Sequence, residues 1–216
     1  MKALLVKDIC LLSQQKKFLG MILLLAVFLN YTGDDTFAVS YLTFLSSFLV
    51  LNSISYDEYD NGFCFLFTFP IKRNTYVRSK YVLAITFCLL SWMIGCLISL
   101  VCYLVKNQAG QIQGGITESS MLLPLMLIFI AVIIPLVLKF GMEKGKIIMA
   151  ALFCGCGFFV YLMVSKSQIG IKIIEMFSWL GGQPQWLLMS ALVAGTVIIL
   201  GISYWVSVAV MKGKEF

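Results

Sequence analysis

Histidine is absent from this chain. That removes most imidazole metal sites, Ser/His/Asp and Cys/His catalysis, and histidine-dependent intramembrane proteolysis. Charge is scarce as well. Asp, Glu, Lys and Arg make up 12% of the 216 residues, against 61% hydrophobic, which is too apolar for a water-soluble domain and leaves little for a second one. The chain therefore reads as a single membrane domain over residues 1–216.

Six stretches contain no charged residue at all: Phe18–Gly33, Phe37–Tyr56, Val82–Val105, Met121–Leu138, Ile147–Val164 and Leu187–Val210. A spanning helix needs about 20 mostly apolar residues. The pattern predicts an all-α integral membrane protein with six transmembrane helices; the first stretch is short and the second rich in serine. Thirteen of the 16 Lys and Arg fall in alternate gaps: the N-terminus, residues 57–81, residues 139–146 and the C-terminus. Basic residues in short loops are retained in the cytoplasm, so both termini are expected there. The net charge of +6 then belongs to a membrane face rich in anionic lipid and needs no nucleic acid to explain it.

Other absences narrow the chemistry. None of Cys10, Cys64, Cys88, Cys96, Cys102, Cys154 and Cys156 lies in an expected outer loop, so no external disulfide is expected. Cys154-Gly-Cys156 lacks the spacing of a redox or zinc pair. Lys16-Lys17 precedes an apolar run but no small-x-small cleavage site follows, so the first helix is expected to be retained. The spans hold no ionisable group of the kind proton pumps and voltage sensors use. Pro124 and Pro135 are expected near the two ends of helix 4, marking no midplane break. Gly141-Met-Glu-Lys-Gly145-Lys146-Ile147 is one residue short of a phosphate-binding loop and lacks its hydroxyl. If the chain moves anything, the energy is expected to come from another subunit.

Residues 1–17 read as an interfacial elbow helix with an apolar stripe of Leu5, Ile9 and Leu12, and with Leu4 and Leu11 on its polar side; a straight extension of helix 1 is the alternative. Helix 2 carries Ser40, Thr43, Ser46, Ser47, Asn52, Ser53 and Ser55. Such hydroxyls bond their own helix or a neighbour, or they line a cargo path, for which Ser40, Thr43, Ser47 and Asn52 are the candidates.

Residues 57–81 are the most informative segment outside the spans. Asp57, Glu58 and Asp60 precede an Asn61-Gly62 break. Phe63, Phe65, Leu66, Phe67 and Phe69 follow, and Pro70 stops the element. Large apolar side chains are stabilised by about 1.5–3 kcal/mol each on burial. They therefore enter a lipid surface or a protein groove, and the three carboxylates favour a groove over anionic lipid. Lys139-Phe140-Gly141 with Lys144 forms a second basic turn, in which Gly141 or Gly145 supplies a positive φ. Residues 169–180 predict an outer interfacial or re-entrant helix, with Trp179 and Trp186 at headgroup level.

Three places carry a family resemblance: Met1-Lys-Ala-Leu-Leu-Val-Lys-Asp8; Glu58-Tyr-Asp-Asn-Gly62 through Thr68-Phe-Pro-Ile-Lys-Arg73, with Tyr76-Val and Lys80-Tyr81; and Ile134-Pro-Leu-Val-Leu-Lys-Phe-Gly141 with Lys144-Gly145. With these the chain resembles the permease subunits of ABC-2 type ATP-driven transporters, in the short six-helix branch of Gram-positive bacteria. Lys72 departs from the pattern, where a small hydroxyl residue often caps the helix in relatives; Asn74 is the expected substitute cap.

The resemblance implies two permease chains, alike or related, working with two cytoplasmic ABC ATPase subunits that bind ATP and Mg²⁺; the permease itself carries no cofactor and no catalytic residue. It makes residues 57–70 the coupling helix, with Asp57, Glu58, Asp60, Asn61, Gly62, Phe63, Phe65, Leu66, Phe67, Pro70, Arg73 and Lys80 as ATPase-coupling residues. The branch includes exporters of phenol-soluble modulins and of antimicrobial peptides, so an amphipathic peptide is the expected cargo. A membrane-bound immunity or signalling protein without a transport path is the alternative.

Overall fold

The computed structural model describes residues 2–32, 37–59, 62–68, 71–106, 112–141 and 185–214, with single residues between 144 and 155. The expected fifth span, most of it, and the outer helix at 169–180 lie outside the described residues. The helices are α1 (Lys2–Gln14), α2 (Lys16–Thr32), α3 (Phe37–Glu58), α4 (Gly62–Thr68), α5 (Arg73–Val105), α6 (Ile112–Phe140) and α7 (Gln185–Gly213). A bilayer offers no partner for an open backbone, which favours helices throughout. Helices α3, α5, α6 and α7 are each long and apolar enough to cross a membrane. The pair α1 and α2, bent by 69° at its break, makes a fifth candidate. The bend is the elbow expected of the N-terminus.

Helix α5 runs for 33 residues, about 50 Å at 1.5 Å per residue, against a hydrocarbon core of about 30 Å. Its charge-free stretch starts only at Val82, so the surplus is the segment 73–81 at the basic end of the bundle. Lys72 is its N-cap, extended at φ −73° and ψ 139° with no side-chain cap. The amides of Thr75 and Tyr76 bond the Lys72 carbonyl instead, at 2.9 and 3.2 Å. Asn74 therefore lies inside the first turn and does not cap, contrary to expectation. Helix α6 starts at Ile112, well ahead of Met121, and runs unbroken through both prolines. Pro124 thus lies in its interior rather than at its end.

Helix α3 packs along α5, and α6 along α7. The main core gathers at the basic end, where Leu4, Val50, Ile54, Phe63, Val77 and Ile134 meet from five helices. A smaller cluster joins α2 to α3 through Ile22, Ala26, Ala38 and Leu42. Gly95 lets α5 approach α3 there: a Cβ on it would sit 2.7 Å from Val39 Cα. Small residues at such crossings are the membrane counterpart of a close-packed core.

Helix α1 is rotated from the orientation its apolar stripe indicates, with Leu12 buried and Leu5 partly buried but Ile9 turned outward. Leu4, Asp8 and Leu12 are buried, whereas Ile9 and Val6 are more than half exposed. The spacing is still helical; the carboxylate of Asp8 decides the rotation, because it seeks a cation inside the bundle.

Candidate functional site

That cation is Lys80. Its ammonium sits 2.9 Å from both Asp8 oxygens, 2.6 Å from Ser53 Oγ and 2.7 Å from Asp57 Oδ2. Asp8, Asp57 and Lys80 are 0%, 5% and 1% exposed. Lys7 pairs with Asp57 and approaches Asp8 at 3.8 Å. Tyr76 donates its hydroxyl to Asp57 Oδ2 at 3.0 Å. Two carboxylates and two ammonium groups therefore balance. Desolvating charges costs several kcal/mol per ion unless partners saturate them; here Lys80 donates to Asp8 and Ser53 and is ion-paired with Asp57. The junction joins α1, α3 and α5.

Helix α4 is seated on this junction. Gly62 has to be glycine, since a Cβ would stand 2.7 Å from the Asp57 carbonyl oxygen. The close approach lets the chain double back from α3. Phe63 and Leu66 turn inward. Phe63 stacks edge-on against Tyr76, with centroids 5.7 Å apart, and lies under the Lys214 ammonium at 5.5 Å. Phe65 points the other way and is 69% exposed; Tyr59 is 74% exposed. A groove of about 640 Å³ opens between α1 and α4, lined by Leu4, Leu11, Leu66, Ile71 and Phe65, with Lys7 and Asp57.

The residues grouped from the sequence thus take distinct places. Asp57 and Lys80 are buried ions, Phe63 and Leu66 are anchors, and Phe65 projects. Arg73 donates to the carbonyls of Met211 and Lys212 at 3.2 and 2.7 Å, capping the end of α7. Asp60, Asn61 and Pro70 lie outside the described residues, as does the side chain of Phe67, which belongs to α4.

The second basic turn meets the same junction. Gly141 adopts φ +80°, and a Cβ on it would collide with the Glu58 carboxylate, whose Cδ lies 3.2 Å from that position. Lys139 lies 5.3 Å over the Phe140 ring, and Lys144 is exposed.

Apart from Ser53, which meets Lys80, several hydroxyls of α3 turn to their own helix. Thr43 donates to the Val39 carbonyl at 2.7 Å, Ser47 to Thr43 at 3.2 Å and Ser40 to Phe37 at 3.1 Å. Thr43 and Ser47 are buried, while Ser40 and Asn52 are half-buried. A second groove, about 250 Å³, runs between α2, α3 and α5, lined by Leu23, Leu45, Phe87, Leu90 and Ile94 with Ser46 and Ser91.

Sequence reasoning left Asp8, Lys7, Ser53 and Tyr76 out of the site. One signal was present: Asp8 is the only acidic residue before Asp34, on a helix whose other charged residues are basic. A lone carboxylate there points to a buried partner.

A search of curated proteins and of solved structures returns no match. Residues 3–212 match the family described as ABC-2 family transporter protein, so the elbow, the spans and the α4 junction all fall inside the match. Over nearly its whole length the chain belongs to this family of transporter membrane proteins.

Proposed function

We propose that the chain is the permease subunit of an exporter driven by a separate ABC ATPase, which binds ATP and Mg²⁺ and docks on α4. Two such chains, identical or related, enclose the path, and the basic end with both termini faces the cytoplasm. One observation carries the reading: α4 presents Phe65 outward while Phe63, Leu66 and a saturated ionic junction hold its other side. An exposed aromatic on a firmly seated helix fits a protein groove, where such anchors dominate binding. The charge distribution supports the orientation.

The cargo we propose is an amphipathic peptide that enters sideways from the bilayer. The apolar groove with Ser46 and Ser91 supports this class over a sugar or an ion. Purified permease and ATPase in vesicles should move such a peptide only with ATP; no ATP-dependent movement of any amphipathic peptide would sink the cargo assignment. Phe65→Ala with Phe67→Ala should weaken ATPase co-purification and leave membrane insertion intact. A wild-type chain that brings down no ATPase would favour a membrane protein without a transport path.

A further inference from the structure

Within nine residues, α5 makes polar contacts with α1, α3 and α7. Arg73 caps α7. Tyr76 reaches Asp57 on α3. Lys80 reaches Asp8 on α1 and Asp57 and Ser53 on α3. Tyr81 completes the series: its hydroxyl lies 2.5 Å from Ser203 Oγ and 2.8 Å from Ser207 Oγ on α7. Ser203 in turn donates to the Ala131 carbonyl of α6. Neighbouring helical residues point about 100° apart, so Lys80 and Tyr81 grip different neighbours, α1 with α3 and α7, from adjacent positions.

We infer that Lys80 is a positioning residue that locks α1 and α3 to the base of α5, so that a push on α4 moves the elbow helix together with the α5 lever. The inference rests on the export reading for what does the pushing, but not for the lock itself. Among the described residues helix α1 has few other holds: its buried apolar side chains are Leu4 and Leu12, Leu5 packs partly against the core, and Lys7 is its other ion-pairing residue. Coupling between distant sites needs an element with defined arrangements that both sites bias. A saturated buried ion cluster provides one, since it resists small distortions and gives way only as a unit.

Removing Lys80 alone leaves two buried carboxylates with one cation, and Lys80→Met can simply fail to fold. The deciding variant is Asp8→Asn with Lys80→Met, which removes one charge of each sign and leaves Lys7 and Asp57 paired. A structural salt bridge tolerates such neutral replacement; a lock does not. In full-length protein in lipid nanodiscs, the amides of residues 4–14 should exchange about tenfold faster or more in the double variant, with α6 and α7 unchanged. In complexes co-purified with the ATPase, the permease-dependent part of ATP hydrolysis should fall about tenfold at equal ATPase recovery. Unchanged exchange in α1, or unchanged permease-dependent hydrolysis, overturns the proposal. If the wild type recovers no ATPase, the export reading fails, and the exchange measurement decides the lock.

Discussion

The two ends of α5 are held in opposite ways. At residues 73–81 it is tied by charge, with Lys80 surrounded by two carboxylates and a hydroxyl. Towards residues 95–106 it is tied by closeness: Gly95 rests on the α3 backbone, and Lys106 reaches the Asn30 carbonyl at 3.3 Å. Among the described residues, the two buried side-chain groups without a hydrogen-bond partner, Asn30 Nδ2 and Ser99 Oγ, both belong to this second region. Directional, saturated bonds make a rigid base. Packed small residues make a seam whose helices shift at smaller cost, because dispersion contacts are individually weak and tolerate re-registration. A lever with a firm foot and a compliant shaft fits the drive from one end proposed above.

The largest test of that contrast is Lys80→Met. Breaking a buried ion cluster from one side costs about 3–5 kcal/mol, so folded protein in detergent should fall sharply, with recovery in the Asp8→Asn double variant; a mild effect of the single change would remove the rigid foot. Gly141→Ala comes next. The positive φ alone costs about 1–2 kcal/mol, and the new methyl group displaces the Glu58 carboxylate as well, so the thermal midpoint should drop while Gly145→Ala does less. At the seam, Gly95→Ala forces α3 and α5 apart at about 1–3 kcal/mol. Its melting temperature should fall, and an unchanged value would mean the crossing is looser than the Val39 contact indicates. The smallest effect is expected for Tyr81→Phe, about 0.6 kcal/mol, the average for hydrogen bonds between membrane helices. A loss several times larger would extend the rigid foot to α7.

Much of the architecture was legible in the residues. Charge-free runs marked α2, α3, α5, α6 and α7, and Asn61-Gly62 with Pro70 bracketed α4. Helix ends were less legible. Arg73–Tyr81 and Ile112–Ser120 are polar enough to look like loops, yet they continue helices; in the first, Tyr76, Val77 and Lys80 bury one face on neighbouring elements. The site was half legible. Asp57, Phe65 and Lys80 stood out by local pattern. Asp8 did not, because its partner lies 72 positions away and no periodicity records such a distance. The stripe of Leu5, Ile9 and Leu12 on α1 held only in part for the same reason: Leu12 is buried and Leu5 partly so, but Leu4 faces in and Ile9 out, because one ion pair outweighed the apolar spacing.

Composition and the placement of charge were enough to establish that this polypeptide lives in a bilayer and which loops share its basic side, since transfer of each segment between water and lipid depends on that segment alone. The rotation of α1, the split of α4 into anchoring and projecting aromatics, and the meeting of Asp8, Asp57 and Lys80 were settled only when the helices packed. Those outcomes depend on the competition among many surfaces for a few buried places, and a charge taken out of water accepts only the place where its opposite already waits.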